Sequence, residues 1–225
     1  KIPNYDQLFY FKQESAKAMN QLTPSFCYER MLTTVIPFSI RGVIWYQGEA
    51  NAGAWAEQEK LFTAMVEDWR TLFDDMKMPF YIVQLARYEQ TIWHEFRDVQ
   101  RKIAQSIPFS FMAVTIDLSR ESDLPKPPKL SHMKYHPIHP ATKQPVGERL
   151  ALAAKALVYG IGKEEDYSGP MIKEGHLEEG KIRLNFDFAK SGLKSIDEKG
   201  LRGFYVAGEN QKFTKAEATI EGDHV

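Results

Sequence analysis

Apolar residues recur along this chain in two spacings, short continuous runs and helical stripes. Continuous apolar runs bounded by turn residues occupy residues 42–46, 80–85 and 111–116, and such runs predict strands buried on both faces. Apolar residues spaced three and four apart predict helices over residues 6–22, 55–73, 93–105 and 142–159. Strands that alternate with helices indicate an α/β fold with a parallel sheet.

The pattern changes after Gly160. Residues 181–188 alternate apolar and polar with period two, and residues 203–208 form another short apolar segment, so this half is predicted to be antiparallel and β-rich. Residues 119–140 contain five prolines and are predicted to be a loop. We expect an α/β domain over residues 1–165 and part of a β-rich accessory domain over residues 166–225.

The composition argues against several classes of function but identifies none. The 225 residues are 43% hydrophobic and carry a net charge of −1, which gives no electrostatic footprint for nucleic acid or an anionic membrane. The chain has no apolar run near the roughly 18–20 residues that cross a bilayer. The single cysteine, Cys27, cannot form an internal disulfide.

Polar side chains follow the first predicted strand directly. Gln47, Glu49 and Asn51 come just after the apolar run over residues 42–46. In open α/β sheets, ligands bind in the crevice at the carboxyl ends of the parallel strands. The sequence therefore predicts a functional site around residues 47–51.

Two blocks of sequence resemble a known family. Residues 42–53, Gly-Val-Ile-Trp-Tyr-Gln-Gly-Glu-Ala-Asn-Ala-Gly, resemble the signature block of sialate O-acetylesterases, a branch of the SGNH hydrolases. Residues 138–154, Ile-His-Pro-Ala-Thr-Lys-Gln-Pro-Val-Gly-Glu-Arg-Leu-Ala-Leu-Ala-Ala, are similar to the segment that carries that family's catalytic histidine. The resemblance covers roughly residues 24–160 and implies an SGNH or flavodoxin-like three-layer α/β/α sheet.

The resemblance also implies an activity. Family members hydrolyse O-acetyl esters of sialic acid, including the 9-O-acetyl ester, with a serine and a histidine and without a cofactor, and the implied location is periplasmic or secreted. The family's Gly-x-Ser-Asn block with the nucleophilic serine lies upstream of residue 1, and this chain contains no such block and no Gly-x-Ser-x-Gly. We therefore expect the serine to come from an N-terminal segment or a separate chain.

Ester hydrolysis assigns roles to the matched positions. His139 is the predicted general base, because an imidazole with a pKa near 6.5 suits proton transfer at neutral pH. Gln47 is predicted to donate its amide N–H to the oxyanion, with the backbone N–H of Gly48 beside it. Asn51 is either a second donor or the N-cap of the following helix.

The carboxylates have different predicted roles. Glu49 would repel an oxyanion, so we assign it to orienting its neighbours, either Arg97 or the loop backbone. SGNH hydrolases often have an aspartate three residues before the histidine, but that position is His136 here. Asp117 and Asp123 are candidates for the acid; alternatively a backbone carbonyl orients the imidazole in a Ser-His dyad.

A metal site is the main alternative use of the histidines. His132, His136 and His139 would share one face of a helix. Pro137 and Pro140 interrupt any such helix, and no His-Glu-x-x-His pattern is present. We therefore predict no metal and no cofactor.

Three functions stay open from the sequence: an O-acetylesterase acting on an O-acetylated sugar, most simply a sialic acid; an acetylxylan-type esterase; and a non-catalytic carbohydrate-binding or interaction protein. Arg87 and Arg97 can pair with a sugar carboxylate in bidentate fashion, although arginines more often serve as surface or structural partners.

Overall fold

The computed structural model describes residues 23, 25–36, 38–118, 143–163, 167–197 and 200–225. Five expectations fall partly or wholly on other residues: the helix at 6–22, the loop at 119–140, the start of the helix at 142, the base His139, and the alternative acid Asp123. They lie outside the described residues.

A parallel sheet forms the centre of the fold. Its strands are β1 (Val43–Trp45), β2 (Phe80–Val83) and β3 (Ser110–Ala113), in the order β1-β2-β3. Both neighbouring pairs run parallel, with Ile44 opposite Tyr81 and Tyr81 opposite Phe111. All four residues of β2 are buried, because this strand has a neighbour on each edge and packed layers on both faces. The α/β prediction is confirmed, but β1 is not buried on both faces as expected: Ile44 is 65% exposed, because the helix on that face packs on β2 and β3.

Two helices cover one face of the sheet. Helix α1 (Trp55–Leu72) connects β1 to β2, and α2 (Trp93–Ser106) connects β2 to β3. The two helices pack against each other and against alternate residues of the strands. Their shared core consists of the buried residues Val43, Phe62, Val66, Met78, Phe80, Ile82, Val99, Ile103 and Ile107. Burial of this apolar stripe is the main stabilising contribution on this face.

The opposite face carries the third layer. Helix α3 (Gln144–Leu157) contacts β2 and β3 and buries Val146 and Ala153. Tyr81 alternates with the core residues of β2 and therefore faces this side, where burial and the neighbouring Tyr159 raise its pKa. Helices on both faces complete the predicted three-layer arrangement.

A buried arginine ties the amino-terminal edge of the sheet together. Arg70, near the end of α1, donates from Nε to the carbonyl of Met78 at 3.0 Å and from Nη2 to the carbonyl of Pro108 at 2.6 Å. Its guanidinium lies 5.8 Å from the centre of the Phe80 ring, and burial lowers its pKa. Arg70 thus connects α1 to the segments that enter β2 and β3.

The residues after α3 form antiparallel pairs. Strand β4 (Met171–Glu178) pairs with β5 (Lys181–Asp187), and β6 (Tyr205–Val206) pairs with β7 (Thr214–Lys215). Arg101 and Gln105 of α2 donate to the carbonyl of Ile172 at 3.3 Å. This strand content matches the expected β-rich texture, while the division into domains at residue 165 stays a prediction.

Candidate functional site

The segment after β1 forms a tight turn at the carboxyl edge of the sheet. Residues Glu49–Ala54 form a 3-10 helix that leads into α1. The amide Nε2 of Gln47 donates to Oδ1 of Asn51 at 2.7 Å, and the backbone N–H of Asn51 donates to the carbonyl of Gly48 at 2.9 Å. The two predicted amide residues are therefore in direct contact.

Asn51 lies inside this turn and not at its junction with α1. The N-cap of α1 is Ala54, which makes no side-chain capping bond. Asn51 therefore does not cap that helix, because three more residues of 3-10 helix follow it. Its side-chain oxygen instead fixes the Gln47 amide. Its role as a second oxyanion donor stays a prediction.

Gly48 is required by close packing beneath the turn. It is buried and has φ of 151°, a conformation that side chains rarely adopt. A Cβ atom at this position would lie 2.8 Å from Cζ of Phe96, closer still to Cε1 of that ring, and 3.5 Å from Cδ1 of Leu85. The backbone of residue 48 therefore lies directly on the Phe96 ring, and no larger residue fits without displacing it.

A hydrogen-bonded network holds the segment after β2 under this turn. Arg97 donates from Nε to the carbonyl of Leu85 and from Nη2 to Oε1 of Gln84, both at 2.9 Å. Oε1 of Gln100 accepts from the Leu85 N–H at 2.9 Å, and Thr115 donates to the carbonyl of Gln84 at 2.6 Å. Burial lowers the pKa of Arg97. These bonds fix Leu85, which packs with Phe96 below Gly48.

This network corrects one expected contact. Arg97 donates to Leu85 and Gln84 and not to Glu49, because its guanidinium points into the network beneath the turn. Glu49 opens the 3-10 helix and is half-buried. The signal for the network in the sequence is the presence of Gln84 and Gln100, two polar residues inside predicted apolar patterns, and both are buried.

Asp117 lies at the exit of β3 in a bidentate ion pair. Its Oδ1 and Oδ2 accept from Nη1 and Nη2 of Arg149 at 2.7 and 2.6 Å. Arg149 also donates to the carbonyl of Val114 at 2.5 Å, and its hydrogen bonds to Asp117 raise the pKa of Arg149. The pair fastens α3 to the carboxyl edge of the sheet. The role of Asp117 as triad acid stays a prediction.

A second contact joins α3 to the exit of β1. The Nζ atom of Lys143 donates to the hydroxyl of Tyr46 at 3.0 Å and lies 4.7 Å from the centre of its ring. Tyr46 directly precedes Gln47, and Lys143 comes four residues after His139 in the sequence. The start of α3 is therefore fixed at the edge where Gln47 and Gly48 lie.

The described residues show neither a metal site nor a membrane-spanning helix. No group of three or more histidines, cysteines or acidic residues could hold a metal there, and His132, His136 and His139 lie outside this part of the chain. Within the same residues, no helix is both long and apolar enough to cross a bilayer.

Comparisons with known proteins agree on one family. A family model described as carbohydrate esterase, sialic acid-specific acetylesterase, matches residues 15–154. Sialate O-acetylesterase from Mus musculus is 32% identical over 186 residues, which is 72% of this chain and 32% of that protein. The Homo sapiens protein of the same name is 31% identical over 182 residues, or 73% and 33%. The chain thus spans about a third of the length of these curated relatives.

A solved structure shares the fold. The crystal structure of a carbohydrate acetylesterase from Xanthomonas citri superposes with a TM-score of 0.73 at 35% sequence identity. The match covers 88% of this chain and 44% of that one. The SGNH-like architecture expected from the sequence is confirmed by this likeness.

Proposed function

This chain belongs to the sialic acid-specific acetylesterase family of carbohydrate esterases, and on that premise we propose that it supplies part of the active site of an enzyme that removes O-acetyl groups from sialic acids. The chain spans about a third of the length of its curated relatives, so the activity of a whole protein of this family is not shown for it. The esterase activity, its substrate and its mechanism are therefore all part of the proposal.

The exit of β1 is the observation that carries the proposal. The Gln47 amide is fixed by Asn51 at 2.7 Å, and because an amide nitrogen has two N–H groups, one is left for a ligand. Gly48 lies beside it with its backbone held against Phe96. Two fixed N–H donors at the carboxyl edge of a parallel sheet are suited to stabilising the oxyanion of a tetrahedral intermediate.

The remaining steps use groups outside the described residues. A serine hydroxyl from an upstream segment attacks the acetyl carbonyl, and His139 accepts the hydroxyl proton. As the tetrahedral intermediate collapses, the bond to the sugar oxygen breaks and His139 returns the proton to that oxygen. Water, activated by His139, then releases acetate from the acetyl-serine. The sequence block around His139 supports this role.

The acid of the triad is the open element of this mechanism. Asp117 already accepts two hydrogen bonds from Arg149, and this use favours a role in holding α3 in place. The imidazole of His139 would then be oriented by a backbone carbonyl in a Ser-His dyad. We also propose a periplasmic or secreted location, for which the family resemblance is the support.

Two residues test the mechanism in the longer protein. We expect His139→Ala to abolish acetate release from a 9-O-acetylated sialic acid, and Gln47→Ala to lower kcat by about a hundredfold or more, because one oxyanion donor is lost. Gln90→Ala, a change at an exposed glutamine before α2, is the matched control. Wild-type turnover by the His139 variant would overturn the assignment.

A second experiment separates the esterase from the binding-protein alternative. Acetate release is measured with the 225-residue chain and with the same chain preceded by the upstream segment of its gene. Activity confined to the longer protein supports the upstream serine. Activity of the short chain means that one of its own residues attacks, and inactivity of both supports a binding protein.

A further inference from the structure

Lys143 and Tyr46 place a fixed cation beside the proposed site. These residues are 97 positions apart in sequence, and the ammonium of Lys143 lies 3.0 Å from the Tyr46 hydroxyl. The same ammonium lies 4.7 Å from the centre of the tyrosine ring, within cation-π range. Because Tyr46 precedes Gln47, the charge is held at the exit of β1.

This cation is not explained by the stability of its helix. Lys143 is the N-cap residue of α3, and the first turn of that helix contains no acidic residue. A helix amino terminus carries partial positive charge, so a lysine there is the reverse of the stabilising arrangement. Glu148, the first acid in the helix, accepts from Nε2 of Gln144 at 2.8 Å. A local conflict of this kind is typical of a functional position.

The pair still has donors to offer. An ammonium carries three N–H groups, and the Tyr46 hydroxyl accepts one of them. Within the described residues, Lys143 forms no ion pair with a carboxylate. The Tyr46 hydroxyl also has its own proton to donate. Arg97 and Arg149, by contrast, direct their guanidinium groups at oxygen atoms of the protein itself.

We propose that Lys143, held in place by Tyr46, binds the carboxylate of an acidic O-acetylated sugar in the site formed by the exit of β1. The ammonium and the tyrosine hydroxyl are two neighbouring donors, which matches the two oxygens of a carboxylate. This inference rests on the proposed function, because it assigns the acid group of that substrate its place. It favours sialic acids over the neutral sugars of acetylated xylan.

The test measures binding and needs no catalysis. N-acetylneuraminic acid and its neutral methyl ester are titrated into the 225-residue chain and followed by NMR. We expect the acid to bind about five- to tenfold more tightly than the ester at low ionic strength, and this preference to shrink as salt is added. Lys143→Met should remove the preference and leave the binding of the ester unchanged.

Two further variants keep the result specific. Lys155→Met removes an equal charge from an exposed position in the last turn of the same helix and should behave like the unchanged chain. Lys143→Arg should retain part of the preference. Equal binding of acid and ester by the unchanged chain, an unaltered preference in Lys143→Met, or no binding of either sugar would overturn the inference. An inactive esterase with the preference intact would contradict the proposed function alone.

Discussion

At each edge of the parallel sheet, an arginine donates hydrogen bonds to nearby oxygen atoms, but the two arginines support different parts of the molecule. At the amino-terminal edge, buried Arg70 donates to the carbonyls of Met78 and Pro108. At the carboxyl edge, half-buried Arg97 donates to the carbonyl of Leu85 and to the Gln84 side chain. Each guanidinium satisfies at least one backbone carbonyl beside the end of a strand.

The difference lies in what each arginine supports. The bonds of Arg70 join α1 to the segments entering β2 and β3, and the described residues at that edge include none of the predicted site residues. The bonds of Arg97 hold Leu85, which packs with Phe96 under Gly48. Arg70 therefore stabilises the fold. Arg97 stabilises the fold and also positions the turn that carries Gln47. Substitutions at the two positions should separate stability from activity.

Arg70→Met should give the largest effect on stability. The change leaves the carbonyls of Met78 and Pro108 without their donor in the protein interior. Each such loss costs about 1–3 kcal/mol, so we expect the free energy of unfolding to fall by about 3–5 kcal/mol. Urea denaturation measures this fall. Arg41→Met, at an exposed position before β1, is the matched control.

The comparison also predicts what Arg70→Met leaves alone. In the longer protein, the fraction that stays folded should deacetylate its substrate with an unchanged kcat, because Arg70 contacts neither the turn after β1 nor the network beneath it. A lower kcat at a temperature where the variant is fully folded would show that the amino-terminal edge also shapes the site.

Arg97→Met should weaken both stability and activity. Loss of its bonds to Leu85 and Gln84 should lower the free energy of unfolding by about 2 kcal/mol, less than at Arg70 because Arg97 is more exposed. As Leu85 loses its anchor, the turn above it shifts, and kcat should fall about tenfold or more because donor placement is critical to about 1 Å. Denaturation and steady-state kinetics on one preparation give both numbers.

The outcome at Arg97 decides how the network is understood. Gln100→Leu provides a second probe, since it removes the acceptor for the Leu85 N–H without changing a charge. If both variants lower kcat while KM changes little, the network positions the oxyanion donors. Loss of stability with an unchanged kcat in both would reduce Arg97 to the structural role of Arg70.

Gly48→Ala tests the packing that lies between the network and the site. The new methyl group meets Cζ of Phe96 at 2.8 Å, and overpacking of this kind costs about 1–3 kcal/mol. We expect a matching loss of stability and a lower kcat, because the turn must rise from the ring. Phe96→Leu in the same chain should recover part of both, while the strain from the positive φ remains.

The stabilities of the single and double variants show which outcome would contradict this explanation. If the clash with the ring governs the loss, the double variant is more stable than the sum of the two single variants requires. Strict additivity would mean that Phe96 is not what excludes a side chain at position 48. Gly53→Ala, at a turn position where a Cβ meets no neighbour within 4 Å, is the matched control.

The sequence predicted the elements of the sheet better than those of the site. Apolar runs and helical stripes located β1, β2 and α1 within a few residues, because continuous apolar runs and helical spacing are clear patterns in a sequence. The predicted burial on both faces holds for β2 but not for β1, where Ile44 is 65% exposed. Strand β4 was not predicted, since Met171 is its only buried residue and its conformation depends on pairing with β5. The 3-10 helix Glu49–Ala54 was missed because its hydrogen bonds are too local to leave a periodic pattern.

The site residues show the same limit. The position of Gln47 after a buried strand was visible in the sequence, but its contact with Asn51 depends on a turn that the apolar pattern does not specify. The partner of Asp117 was missed because Arg149 lies 32 positions away, and long-range ion pairs leave no trace in a single sequence. The sequence does not single out Lys143 within the family block, because its contact with Tyr46 joins residues 97 positions apart.

The pair of Asp117 and Arg149 gives the smallest expected effect on stability and the sharpest test of the mechanism. Both side chains are partly exposed, at 42% and 34%, so breaking the ion pair should cost only about 1 kcal/mol. Arg149→Met and Asp117→Asn both break it, but only the second removes the proposed acid. If Asp117 acts by holding α3 through Arg149, the two variants should lower kcat to a similar extent, and the double variant should be no worse than either.

A catalytic acid gives a different pattern. In that case Asp117→Asn lowers kcat far more than Arg149→Met, since the imidazole loses the charge that stabilises its protonated form. The pH dependence of kcat/KM adds a second readout: loss of a neighbouring carboxylate lowers the pKa of the general base and shifts the acidic limb to lower pH. The Ser-His dyad would be supported if the acidic limb of kcat/KM stays in place and Asp117→Asn and Arg149→Met lower kcat equally. The ion pair would then serve to hold α3 at the edge of the sheet.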